Sequence, residues 1–155
     1  MMQNLGRAKL SEGTEIFELI NLWATRGQLL PRTLGEVYEN IRDFYVVREE
    51  NKVIACAALH ITWGNLAELK SIAVIDEKQS SGYGRMLVDQ CVQEGIELEL
   101  SQIFALTYQP KFFEKLGWHQ ADVMSLPQKV WNECYRCPKF PACEEIAVTI
   151  DINVL

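Results

Sequence analysis

Apolar residues recur along the chain with two different periods, and the change of period marks out the elements. Ile16, Leu19, Ile20 and Trp23 fall at helical spacing, which predicts a helix over residues 12–25 with Ser11 or Thr14 as candidate caps and Gly27 as its stop. Pro31 biases Leu30 away from helical backbone, so residues 28–33 read as an extended connection. Thr33 followed by Glu36 has the spacing of a capping box and predicts a short helix over 34–41. The period then shortens to that of strands. Residues 44–49 and 53–61 read as a hairpin closed by Glu50-Asn51-Lys52, and residues 66–74 read as a third strand after a turn at Trp63-Gly64-Asn65. Residues 6–9 are a candidate edge strand ahead of this meander.

After Val74 the chain passes through Gln79-Ser80-Ser81-Gly82-Tyr83-Gly84-Arg85, and Met86, Leu87, Cys91 and Val92 then return to helical spacing. Strand, glycine loop and helix in that order aim several backbone N–H groups and a helix N-terminus at one point, which suits a phosphate. The spacing departs from the dinucleotide fingerprint, because Leu87 stands where its third glycine belongs, and no Gly-Lys-Ser/Thr follows to make a Walker loop. Residues 103–107 form a further apolar strand, and the helix before it implies a parallel crossover from 66–74. A short helix over 111–116 stops at Gly117, residues 118–121 turn back toward the sheet, and residues 127–134 read as a short helical stretch. Residues 146–152 alternate as a last strand, which as an edge at the C-terminus could pair between subunits in a homodimer. The expectation is a single domain over 1–155, of α/β (α+β) class, with a central mixed and mostly antiparallel sheet flanked by helices.

Composition narrows the partners. A net charge of −6 argues against general nucleic-acid binding, which needs a basic face, yet leaves room for a small anionic ligand held by local donors. No apolar run approaches the roughly 18 residues needed to span a membrane. The polar N-terminus lacks the apolar core of an export signal, so the expected location is cytoplasmic. Cys134, Cys137 and Cys143 cluster, but a zinc site needs two paired motifs, so they read as packed thiols with no metal bound. Cys56 and Cys91 sit inside apolar patterns and read as buried thiols.

At Gln79, Gly82, Gly84 and Arg85 the chain resembles the pyrophosphate loop of the GNAT N-acetyltransferase superfamily, and Phe112, Phe113, Gly117 and Trp118 extend the likeness. Residues 27–32, 54–59, 104–107 and 125–127 are similar to the acetyltransferase domain of N-acetylglutamate synthases. The resemblance implies a GNAT fold and acetyl-CoA as co-substrate, held by Ile72, Ala73, Val74, Gln79, Ser80, Ser81, Gly82, Tyr83, Gly84, Arg85, Thr107 and Phe113. It implies transfer of the acetyl group to the α-amine of L-glutamate, the first step of arginine biosynthesis. Glu68 matches the family's general base, and an Ile72 or Ala73 N–H beside a bulge would meet the developing oxyanion. Phe113 stands where many members have an acid tyrosine, which leaves Tyr108 or water to protonate the thiolate. Leu30, Arg32 and Ser71 match substrate positions, and Arg136 or Lys139 would meet the second carboxylate. Two alternatives stand beside glutamate. One is a different amine (another amino acid, a polyamine or a protein N-terminus), which the acidic net charge would suit; the other is a non-catalytic acyl-CoA-binding module.

Overall fold

The computed structural model describes residues 4–126 and 145–152. Helix α1 (Gly13–Thr25) buries Ile16, Leu19 and Ile20, the stripe its periodicity announced. Truncating Ile20, fully buried, to Ala would cost about 2–5 kcal/mol. Neither Ser11 nor Thr14 caps α1. Glu12 stands at the N-cap position, and its carboxylate is already engaged by the Lys9 N–H and by Arg48. Helix α2 (Leu34–Glu39) has the expected capping box: the Glu36 N–H donates to Thr33 Oγ1 at 3.0 Å and the Thr33 N–H donates to Glu36 Oε1 at 2.9 Å. It ends earlier than its pattern suggested, because Ile41–Asp43 tighten into a 3-10 turn.

The strands are β1 (Asn4–Arg7), β2 (Phe44–Glu49), β3 (Lys52–Trp63), β4 (Leu66–Val74), β5 (Gln102–Thr107), β6 (His119–Ala121) and β7 (Ile146–Asp151). They form a seven-strand mixed sheet in the order β1-β2-β3-β4-β5-β7-β6. The predicted crossover is present: β4 and β5 run parallel, with Leu66 opposite Gln102 and Glu68 opposite Phe104, joined through helix α3 (Tyr83–Glu97). Two expectations fail at the other end. Residues 119–121, expected as part of a turn, form β6. β7 lies between β5 and β6, with Ile103 opposite Ile150 and Gln120 opposite Val148. Among the described residues the C-terminal strand is therefore an inner strand where β6 covers it, not the expected edge, and the outer strands are β1 and β6.

The chain falls into two compact units, Met1–His60 with Leu69–Glu94, and Ile61–Glu68 with Gly95–Leu155. The core of the first joins Ile16 and Ile20 of α1, Val37 of α2, and Phe44, Cys56 and Ala73 of the sheet. In the second, Leu66, Phe104, Leu126 and Ala147 cluster. There helix α4 (Pro110–Glu114) sets Phe113 edge-on against Trp118, ring centres 5.0 Å apart. Among the described residues no helix is long and apolar enough to cross a membrane. The stretch 127–134, Arg136, Lys139 and the cluster of Cys134, Cys137 and Cys143 lie outside the described residues.

Candidate active site

Strand β4 departs from regular geometry at Ser71, where φ is 57°. That left-handed backbone costs a non-glycine residue about 1–3 kcal/mol and marks a bulge-like break in the strand. The bulge expected beside Ile72 or Ala73 thus has its special residue immediately before them. Surrounding structure holds it there. Ser71 is buried, its carbonyl accepts the Cys56 S–H at 3.4 Å, and beyond it the Ile75 N–H rejoins Ile54 O at 2.9 Å. Burial pushes the Cys56 thiol up to about 12, so it remains a neutral packing group.

The break has a consequence for side chains. In a regular strand Lys70 and Ser71 would face opposite sides. Here both line one solvent-open cleft together with Arg32, Glu36, Asp43 and Phe44. Arg32 reaches it because Asn21 of α1 holds the preceding connection, its Nδ2 donating to Arg32 O at 2.8 Å and Phe17 O at 2.9 Å. Among the described residues Arg32 Nε is buried without a hydrogen-bond partner, and Nη1 lies 3.9 Å from Glu36 Oε2, too far for a hydrogen bond. The Glu36 carboxyl is held below the ordinary glutamate range chiefly by the Thr33 N–H, against partial burial, with smaller attractions to Arg32 and Lys70. Asp43 has a partner of its own, His60 Nδ1 at 2.6 Å. Arg32 and Ser71, each expected at the substrate from the family likeness, line the same cleft. The sequence reading missed Lys70, Glu36 and Asp43; the capping box offered the only signal, for Glu36. Leu30, half-buried, lies two residues before Arg32.

The glycine loop is pinned on both flanks. Glu49 at the end of β2 accepts from Tyr83 Oη at 3.0 Å and pairs with Lys78 Nζ at 3.1 Å. Ser80 and Gly82 have φ of 62° and 88°, and alternation of this kind turns successive N–H groups toward one side. A Cβ at Gly82 would meet nothing within 4 Å, so glycine is needed here for its backbone angle. Helix α3 begins at Tyr83 and its first N–H groups have no intrahelical partner. The loop therefore fits a diphosphate through its main chain. Its side chains are used otherwise. Gln79 Nε2 donates back to Val74 O at 2.5 Å, Tyr83 is buried, and exposed Arg85 lies 3.8 Å from Asp89.

In the second unit Glu68 is buried on β4, so an exposed surface carboxylate is not what the structure holds. Tyr108 follows β5 half-buried, and Thr107 Oγ1 accepts the Gln109 N–H at 2.8 Å. Phe113 is a core residue against Trp118. Ile72 and Val74 are half-buried and Ala73 is buried, in the first unit. Among the described residues no cluster of three or more His, Cys, Asp or Glu could hold a metal.

The acetyltransferase (GNAT) domain model matches residues 40–120. The chain belongs to the GNAT family. It is 35% identical to an uncharacterised N-acetyltransferase of Chlorobaculum tepidum across 91% of each chain. It is 30% identical to an amino-acid acetyltransferase of Mycobacterium tuberculosis over 84% of this chain and 76% of that one. Its fold is shared with the Neisseria gonorrhoeae N-acetylglutamate synthase solved with coenzyme A and N-acetyl-glutamate. The TM-score is 0.89 at 20% identity, over 98% of this chain and 35% of that one. As a GNAT enzyme it is an acetyl-CoA-dependent N-acetyltransferase, with acetyl-CoA as co-substrate.

Proposed function

We propose that this GNAT enzyme acetylates the α-amine of an amino acid, and that L-glutamate is the acceptor, which would place it at the first step of arginine biosynthesis. The observation that carries the reading is the cleft beside Ser71, where the buried Arg32 Nε has no partner among the described residues. A buried donor left unpaired costs about 1–3 kcal/mol, which a bound carboxylate would recover. The amino-acid acetyltransferase names of relatives such as the one from Mycobacterium tuberculosis support it.

The proposed roles follow. Acetyl-CoA supplies the activated acetyl group, its diphosphate lying on the N–H groups of residues 82–85, since the Ser81 N–H is already given to Lys78 O at 3.3 Å. Glu68 takes the proton from the acceptor ammonium, directly or through one water, and frees the lone pair that attacks the thioester carbonyl. A backbone N–H of Ile72 or Ala73 donates to the carbonyl oxygen as charge builds there. As the C–S bond breaks, the nitrogen of the adduct loses its second proton to water, and Tyr108 or water gives the sulfur its proton. Arg32 binds a carboxylate of the acceptor, with Leu30 and Ser71 beside it; Arg136 and Lys139, which the family likeness offers for the second carboxylate, lie outside the described residues.

Another amine acceptor is favoured by one observation, the carboxylates of Glu36 and Asp43 in the same cleft, which would suit a cationic group. Incubation with acetyl-CoA and a panel of amines, with release of free thiol as the readout, separates the readings. Turnover of glutamate above all others is expected. Turnover only of polyamines or peptide N-termini overturns the glutamate reading.

A further inference from the structure

Beside the left-handed backbone at Ser71 a second cation lines the acceptor cleft, and among the described residues no side chain holds it in a hydrogen bond. Lys70 is half-buried and its side chain, among the described residues, makes no hydrogen bond or ion pair, only a weak attraction to Glu36. The two carboxylates nearby are already committed. Asp43 meets His60, and one oxygen of Glu36 is bound to the Thr33 N–H in the capping box. Its ammonium keeps access to water and is available to an anion that enters the cleft.

A guanidinium fork satisfies both oxygens of one carboxylate. An acceptor with a single carboxylate would therefore use Arg32 and leave Lys70 without a counterion. We propose that Lys70 is a specificity-determining residue, pairing with the second carboxylate of a dicarboxylic amino acid and selecting it over its uncharged amide counterpart. This rests on the proposed acetylation of glutamate and names the contact that would enforce it. Glu36 serves as the resident anion between the two cations, tethered by its cap and so easily outcompeted by an acceptor that meets both directly.

The test compares the wild-type enzyme with Lys70→Met, which keeps the stem and removes the charge, and with Lys70→Arg, which restores it. The glutamate KM is expected to rise roughly 10- to 100-fold in K70M, the range of a lost charge-assisted hydrogen bond. The glutamate-to-glutamine ratio of kcat/KM is expected to fall by the same factor, and K70R to recover most of it. Equal losses for glutamate and glutamine, or no loss for either, overturn the role of Lys70. Calorimetric titration with glutarate, a dicarboxylate with no amine to acetylate, provides a second arm. Glutarate binding that weakens in K70M upholds the Lys70 inference even if glutamate is not turned over, a result that would overturn the glutamate reading alone. Glutarate binding equal in both proteins overturns the Lys70 inference whatever the acceptor.

Discussion

Arg48 and Arg32 each face a glutamate at the start of a helix, Glu12 before α1 and Glu36 in the first turn of α2, and the two pairs are built in opposite ways. Around Arg48, no buried side-chain polar atom of the pair is left unmatched. Its Nε and one Nη donate to the two oxygens of Glu12, the latter at 2.8 Å, and the same Nη reaches Arg7 O at 2.7 Å. The Lys9 N–H completes the shell of Glu12 at 2.8 Å, and both residues are buried. Around Arg32 the fit is deliberately incomplete by comparison. The glutamate is 3.9 Å away, half its capacity is spent on the backbone, and a buried guanidinium N–H is left over. A closed pair holds elements together, while an open one retains binding capacity for something that arrives later.

If that contrast is right, removing Arg48 should cost stability and removing Arg32 should cost substrate. Arg48→Ala strands a buried carboxylate and is expected to lower folding stability by about 3–5 kcal/mol in urea titrations; a loss under about 1 kcal/mol would erase the distinction. The same pair predicts a pH dependence. Burial alone would raise the Glu12 carboxyl, but hydrogen bonds from Arg48 and the Lys9 N–H outweigh it and the folded value lies below the ordinary 4.5. The stabilisation is therefore present above that ordinary value and is lost as pH falls through the depressed one, so acid unfolding curves of the wild-type and R48A should converge toward low pH. Arg32→Ala is expected to raise the glutamate KM on the order of 10- to 100-fold, about 1.5–3 kcal/mol, with little change in the acetyl-CoA KM or the melting midpoint. Equal effects on both substrates would move Arg32 out of the acceptor cleft. The smallest effect belongs to the cap beneath the open pair: Thr33→Ala should cost about 1 kcal/mol of stability, measured by the same urea titrations.

The capping box at Thr33 and Glu36, the stripe of α1 and the parallel crossover from β4 to β5 were all legible in the sequence because local spacing specifies them. The glycine loop and the aromatic pair Phe113 and Trp118 were legible through their family likeness. Three features were not. β6 is too short to carry a period, and the insertion of β7 beside it depends on pairing across distant sequence. Arg48 closes a run of apolar strand residues and reads as the exposed end of β2. Yet the β2–β3 register shifts between Val47 and Arg48, and Glu12, far away in sequence, receives the charge. Serine carries no signal for left-handed backbone, so neither the kink at Ser71 nor the place of Lys70 in the cleft could be read from alternation.

The kink at Ser71 also constrains how such an enzyme could drift toward a new acceptor. At φ 57° a β-branched or bulky replacement is heavily penalised, so mutation has few residues to sample there without losing the bend itself. Lys70 and Arg32 carry no such restriction, since neither has a positive φ. Selection acting on this cleft is thus channelled into the charges beside the bend, and lineages that change substrate should differ there before they differ at the bend.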